Sequence, residues 1–278
     1  MPRSTTSAGT RRRYLGPLLI VELILAVMLV GRPDASPGPP APTSTPAATA
    51  AASRTETVSD GRTVELMSLG GPTTQPLLAR LSGAMDDAVA AVTQFWGPDW
   101  PRDIVVVATA SDEQFRALAG GGSDIAAATT GRRIVFAPGA TAMSADDLRM
   151  VLRHELFHYA ARADTAADAP RWLTEGVADF VARPAAPLSG RRSAAEIAVL
   201  PTDADLDTVG PTRTLAYDRA WWFTRYVADR YGTPALRRLY LRACGPSHPG
   251  IEAAVSETLG ADLDEVLIAW RRWLSQIA

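Results

Sequence analysis

The sequence predicts an α+β chain: a small N-terminal mixed sheet with helices, then a mostly helical C-terminal half, behind an apolar N-terminal span and a disordered linker. Three observations predict it. Runs with strand character gather before Pro138, and after Pro138 the apolar spacing turns helical to the end of the chain. That order, strands first and helices afterwards, belongs to α+β proteins. The 278 residues are 47% hydrophobic and 21% charged, which is enough to bury a core and excludes disorder throughout.

The N-terminal part reads as address and tether. Residues 1–13 end in Arg11, Arg12 and Arg13 and form a basic, cytoplasmic N-terminus. Residues 14–31, Tyr14 to Gly31, carry one charge, Glu22, over 18 positions, close to the length that crosses a bilayer as a helix. The run is long for a cleaved signal and lacks a clear small-x-small site after it, so a signal anchor is expected, with secretion as the outcome if it is cleaved. Residues 32–55 are rich in Pro, Ala, Thr and Ser, including Pro37-Gly38-Pro39-Pro40, and read as a linker. Its reach lies between roughly 25 Å as a coil and 75 Å as polyproline II. The folded domain is expected over residues 56–278, outside the cytoplasm.

Within that domain, Thr63–Leu69 alternates and stops at Gly70-Gly71, as a short strand does. Over Thr73–Trp96 the apolar residues Leu77, Leu81, Met85, Val89, Val92 and Trp96 follow helical spacing up to Gly97-Pro98. Asp103–Ala108 (DIVVVA) reads as a buried strand, and Ser111–Ala119 as a short helix capped by Ser111. Ile125–Thr129 and Arg132–Ala137 read as two strands joined at Thr130-Gly131. No internal repeat is present.

Charge and cysteine content exclude several functions. All 28 basic residues are Arg, and six of them fall in residues 1–55 beside Glu22 and Asp34. Residues 56–278 therefore hold 28 − 6 = 22 basic and 30 − 2 = 28 acidic groups, a net charge of −6. So acidic a body does not suit nucleic acid, whose binding rests on neutralising phosphates. The single cysteine, Cys244, excludes an intrachain disulfide framework and a thiolate zinc cluster, and reads as a small buried hydrophobe.

The chemistry is concentrated in Ser144–Arg162, SADDLRMVLRHELFHYAAR. Ser144 caps a helix with Asp147 three residues on, and two acidic residues occupy the first turn, where the helix dipole favours them. On that helix His154-Glu155-Leu156-Phe157-His158 spells H-E-x-x-H. Residues i and i+4 share a face, so His154 and His158 can hold one Zn²⁺ with Glu155 as the general base. Only three histidines occur in the chain, and a chance match at this composition is on the order of one in a thousand. Two exposed histidines beside a glutamate would give the same letters, but Leu152, Leu156, Phe157 and Tyr159 point to a buried helix.

Two residues compete for the third ligand. Asp164 lies six residues after His158, where metzincins place theirs. Those enzymes also need a glycine three residues after the second histidine and a methionine turn downstream. Here that position is Ala161, and the last methionine is Met150. The other candidate is Glu175, in Pro170-Arg171-Trp172-Leu173-Thr174-Glu175-Gly176-Val177-Ala178-Asp179-Phe180, where Pro170 suits a first helical turn. Glu175 and Asp179 share a face, so Glu175 can complete a His₂Glu site while Asp179 accepts the free N–H of a ligating imidazole.

HELFH followed by PRWLTEGVADF resembles the gluzincin zinc metallopeptidases, and most of all the peptidase MA-like family, whose motif runs HE-x-x-H and then P-x-W-L-x-E-G-x-A. The resemblance extends through Tyr217–Gly232 and the C-terminal helix Asp262–Leu274, about residues 100–278. It implies a minimal gluzincin-like fold, Zn²⁺ held by His154, His158 and Glu175, Glu155 as base and Asp179 behind the ligands. It further implies Tyr217 as donor to the developing oxyanion, with a core role beside Trp221 and Trp222 as the plain alternative and His248 as runner-up donor. Only 16 residues separate His158 from Glu175, which leaves little room for an inserted subdomain and predicts a shallow cleft. The strand Arg132–Ala137 is expected to receive substrate backbone by strand addition. The expected function is a membrane-anchored, extracytoplasmic zinc peptidase acting on peptides or proteins. The competing expectation is a catalytically silent binding or structural protein of the cell envelope that keeps the fold.

Overall fold

The computed structural model describes residues 52–120, 124–185 and 193–277. The basic N-terminus, the expected span 14–31 and most of the linker lie outside the described residues. Among the described residues no helix is long and apolar enough to cross a membrane.

The architecture is α+β. Five strands come first, β1 (Ala52–Thr57), β2 (Thr63–Ser68), β3 (Asp103–Ala108), β4 (Ala127–Thr130) and β5 (Arg133–Phe136), with α1 (Gln75–Trp96) and α2 (Asp112–Ala119) between them. Eight helices follow: α3 (Ala145–Ala161), α4 (Arg171–Ala182), α5 (Ala194–Ile197), α6 (Asp203–Asp207), α7 (Pro211–Tyr231), α8 (Thr233–Cys244), α9 (Ile251–Leu259) and α10 (Leu263–Ile277). The sheet is mixed, in the order β1-β2-β3-β5-β4. The outer pairs β1·β2 and β4·β5 are antiparallel, and β2·β3 and β3·β5 are parallel.

Strand periodicity sorts the side chains onto two faces. Val64, Leu66, Ile104, Val106, Ala127, Ile134 and Phe136 join the main core with α1 and α3. Val107, Ala128 and Val135 join a smaller cluster with Phe115 and Ala119 of α2. The stripe expected on α1 is buried throughout, from Leu77 to Trp96. Ser111 and Ser144 act as the expected N-caps, accepting from the backbone N–H of Gln114 and Asp147.

Three features depart from the sequence reading. Strand β1 occupies 52–57, so the last residues read as linker form an edge strand. Its side chains are almost all exposed, and it pairs with β2 through the backbone, so no apolar pattern announces it. Strand β5, expected to be the free edge, lies between β3 and β4; the edge beside α3 is β4. The buried run Ile134, Val135 and Phe136 explains the interior place, because a strand covered on both faces reads as continuous rather than alternating. Pro170 stands at the N-cap of α4 rather than inside its first turn.

Candidate metal centre

Two helices build the site. Helix α3 buries one face against α1 through Phe157, which makes edge-to-face contacts with Phe95, Trp96 and Tyr240 at 5.4–5.9 Å between ring centroids. Such pairs fix a helix in rotation as well as position. His154, Glu155 and His158 then stand in the interior, exposed by 1%, 1% and 6%. Helix α4 crosses against α3 and brings Glu175 and Asp179, exposed by 1% and 5%. The loop 162–170 joins the two helices directly, with no inserted subdomain.

The depth of α4 is set by Gly176. A Cβ there would stand 2.7 Å from the carbonyl oxygen of Ala220 and 2.9 Å from its carbon, so α7 passes against bare backbone at this point. The Thr224 hydroxyl donates to the Gly176 carbonyl oxygen at 2.9 Å and locks the crossing. Glycine beside the expected ligand is therefore a packing requirement.

The donor atoms converge. His154 Nε2 and His158 Nε2 are 3.0 Å apart, and Glu175 Oε2 is 3.2 Å from His154 Nε2. Glu175 Oε1 is 3.7 Å from His158 Nε2. Ligands of a tetrahedral ion about 2.0–2.1 Å away lie roughly 3.3 Å from one another, so this spacing fits zinc. Two imidazole nitrogens facing each other at 3.0 Å either share one hydrogen or oppose their lone pairs, and a cation between them relieves the second arrangement. On its other side His154 Nδ1 lies 2.9 Å from Asp179 Oδ1, which makes Nδ1 the donor and turns the Nε2 lone pair toward the site. The set of two nitrogens and one carboxylate oxygen, all buried and within 4.8 Å of one another, suits a zinc ion.

Electrostatics separate the two glutamates. Burial pushes the Glu155 carboxyl up, and His154, His158 and the Thr129 hydroxyl only partly oppose it. Burial also raises Glu175, but His158 and His154 outweigh it and hold that carboxyl well below the usual carboxylate range. Burial lowers the His154 imidazole, yet Asp179 and Glu175 outweigh it and hold it up at about 10. The two carboxyls are thus pushed in opposite directions, Glu155 up by burial and Glu175 down by the facing imidazoles.

Among the other sequence candidates, Asp164 and His248 fall away from the three converging side chains. Asp164 is exposed in the loop after α3, and no metal-ligand group among the described residues includes it. His248 lies between α8 and α9, its Nδ1 3.0 Å from the Pro249 carbonyl oxygen and its Nε2 3.4 Å from Asp168. Tyr217 is 4% exposed and sits on α7, one turn before the Ala220 contact with Gly176. Cys244 is fully buried.

Two neighbours were not foreseen. Arg183, at the C-cap of α4, places Nη2 2.5 Å from Asp179 Oδ2 and Nη1 3.1 Å from Asp218 Oδ1, extending the line from His154 through Asp179. An arginine four residues after the acid is the sequence signal for it. Thr129 of β4 contacts Glu155 through both its carboxylate and its carbonyl oxygen.

A family model described as the eCIS core domain matches residues 90–166, from the end of α1 past α3, well under half of the chain. That stretch includes His154, Glu155 and His158 but stops short of Glu175. Comparison with curated proteins gives no match. Among solved structures, aminopeptidase A from Legionella pneumophila is 15% identical with a TM-score of 0.50, over 80% of this chain and 28% of that one. A variant M1 zinc metallopeptidase from Deinococcus radiodurans is 17% identical with a TM-score of 0.48, over 82% of this chain and 53% of that one. The chain thus spans between about a quarter and half the length of these neighbours. At such identities the likeness is one of architecture: the chain shares its fold with the matched part of the aminopeptidase A structure.

Proposed function

We propose that the chain is a zinc-dependent peptidase working outside the cytoplasm. One observation carries this reading: the Nε2 atoms of His154 and His158 and the carboxylate of Glu175 converge at 3.0–3.7 Å in a buried site, with Asp179 fixing the tautomer of His154. His154, His158 and Glu175 are the ligands. Zinc, when bound there, supplies Lewis acidity and makes water a stronger acid near neutral pH. Glu155 takes a proton from the attacking water and passes it to the departing amine nitrogen. Tyr217 donates its hydroxyl hydrogen to the substrate carbonyl oxygen as negative charge builds there. The substrate backbone lies along β4, the edge strand beside α3.

The proposed layout follows the sequence. Residues 14–31 anchor the chain with residues 1–13 in the cytoplasm, and 32–51 tether the peptidase domain, which strand β1 extends to begin at Ala52 rather than at residue 56. The basic residues before an apolar run of bilayer length support it.

The test uses the zinc-loaded full chain and a mixture of internally quenched peptides. Wild type should cleave them, and Glu155→Gln should lower the rate by about 10²–10⁴-fold with its zinc retained. Equal cleavage by both proteins contradicts the assignment of Glu155. A wild type that holds zinc and cleaves nothing favours the silent envelope protein instead.

A further inference from the structure

Glu155 is held by one residue outside its own helix. The Thr129 hydroxyl lies 2.7 Å from Glu155 Oε2 and 2.8 Å from the Glu155 carbonyl oxygen. Glu155 Oε1 is buried and has no hydrogen-bond partner among the described residues. The two carboxylate oxygens are therefore unequal: one is engaged by the protein and one is left over.

The setting of Thr129 argues that this contact is specific. On β4, Ala127 and Thr129 share the face toward α3, and Ala128 turns to the α2 side. The α3 side of the neighbouring strand is Ile134 and Phe136, both fully buried. Thr129, 7% exposed, thus places a hydroxyl in an apolar row, where valine would fit in nearly the same volume. A hydroxyl buried without a partner costs about 1–3 kcal/mol, so it is expected only where it bonds something. Both of its contacts are to Glu155.

We propose that Thr129 is a positioning residue for the reaction, holding Oε2 so that Oε1 alone meets the proton of the attacking water. This inference rests on the reading of Glu155 as general base. A carboxyl whose Oε1 gains a proton still offers Oε2 as an acceptor, so the Thr129 hydrogen bond persists while the proton arrives and leaves. The hydroxyl has one hydrogen, which the proposal assigns to Oε2 at 2.7 Å, and the Glu155 carbonyl oxygen at 2.8 Å is its alternative acceptor. Because β4 is the edge strand, the tether also couples the base to the strand proposed to bind substrate.

The test compares wild type, Thr129→Val and Thr129→Ser as zinc-loaded full chains, with the quenched-peptide mixture as probe. The valine variant should lose about 10–100-fold in kcat, as small misplacements of catalytic groups do, with KM and zinc content unchanged. The serine variant should recover most of the rate. Crystal structures supply the reading independent of activity: the Glu155 carboxylate should leave its position beside β4 in the valine variant and return in the serine variant. Should the valine variant not fold, Thr129→Ala carries the same expectation. A hydroxyl-free variant with wild-type kcat, or with Glu155 in its original rotamer, overturns the proposal. If wild type cleaves nothing, the peptidase reading falls by itself, and the carboxylate positions still decide whether Thr129 holds Glu155.

Discussion

Helices α3 and α4 supply the site in different ways. On α3 the periodicity of the helix alone brings His154 and His158 together, and any stable helix with this sequence would do so. On α4, Glu175 and Asp179 share a face for the same reason, but their meeting with α3 depends on how closely α4 packs. That closeness rests on Gly176 against the Ala220 backbone and on the Thr224 hydrogen bond. One half of the site is thus encoded locally, and the other half is encoded in a helix crossing between α4 and α7. Substitutions that touch no ligand should therefore weaken metal binding through α4 and not through α3.

The largest effect expected in this comparison comes from Asp179→Asn. It keeps the shape of the side chain, but the amide can present an N–H to His154 Nδ1 and favour the wrong tautomer. Zinc affinity should fall by about 10–100-fold, measured by competition with a chromophoric chelator. An unchanged affinity would mean that the α4 acid does not orient the α3 ligand. Next comes Gly176→Ala. Its methyl group meets the Ala220 carbonyl at 2.7 Å, inside any normal contact. Overpacking of this kind should cost about 1–2 kcal/mol in denaturant unfolding and weaken zinc binding although every ligand is intact.

The same substitution elsewhere should have the opposite sign. Gly83 is exposed in the middle of α1, and a Cβ there meets nothing within 4 Å. Gly83→Ala should stabilise the chain by about 0.5–1 kcal/mol and leave zinc affinity alone. Destabilisation by both alanines would remove the argument from close approach. The smallest effect concerns Cys244, whose thiol burial pushes up to about 12. Its neutral form is favoured by folding, so the contribution is complete below the unfolded thiol pKa of about 8.5 and is lost as pH rises toward 12. Native protein at pH 8 should leave Cys244 unmodified by a thiol reagent that labels the unfolded chain, and Cys244→Ala should flatten the alkaline loss of stability. Rapid labelling of native protein would contradict its burial.

The same division between local and long-range encoding explains what the sequence made legible. The H-E-x-x-H helix, its Ser144 cap and the α1 stripe are local patterns, and each could be read directly. Glu175 was legible as one of two candidates, because the letters near a motif do not say which loop turns back. The choice against Asp164 rests on Ala161 and on the absence of a methionine after Met150, and the structure places Asp164 exposed in the loop after α3. Strand order depends on pairing partners, so the edge was assigned to β5 rather than β4, although the unbroken Ile134-Val135-Phe136 run carried the signal for an interior strand. Thr129 went unremarked because one hydroxyl in a short strand carries meaning only once Glu155 is seen beside it. The short helices α5 and α6 are opened by capping boxes at Ser193–Glu196 and Thr202–Asp205, a local signal that the sequence also carries.

The central claim is that α3 and α4 together hold one zinc ion. Metal stoichiometry of the purified full chain, wild type beside Glu175→Ala and Asp164→Ala, tests it most directly. The account predicts about one zinc per chain in wild type and in Asp164→Ala, and its loss in Glu175→Ala. Absence of zinc from wild type after it is added back, or its loss in Asp164→Ala with Glu175→Ala unaffected, would contradict the account.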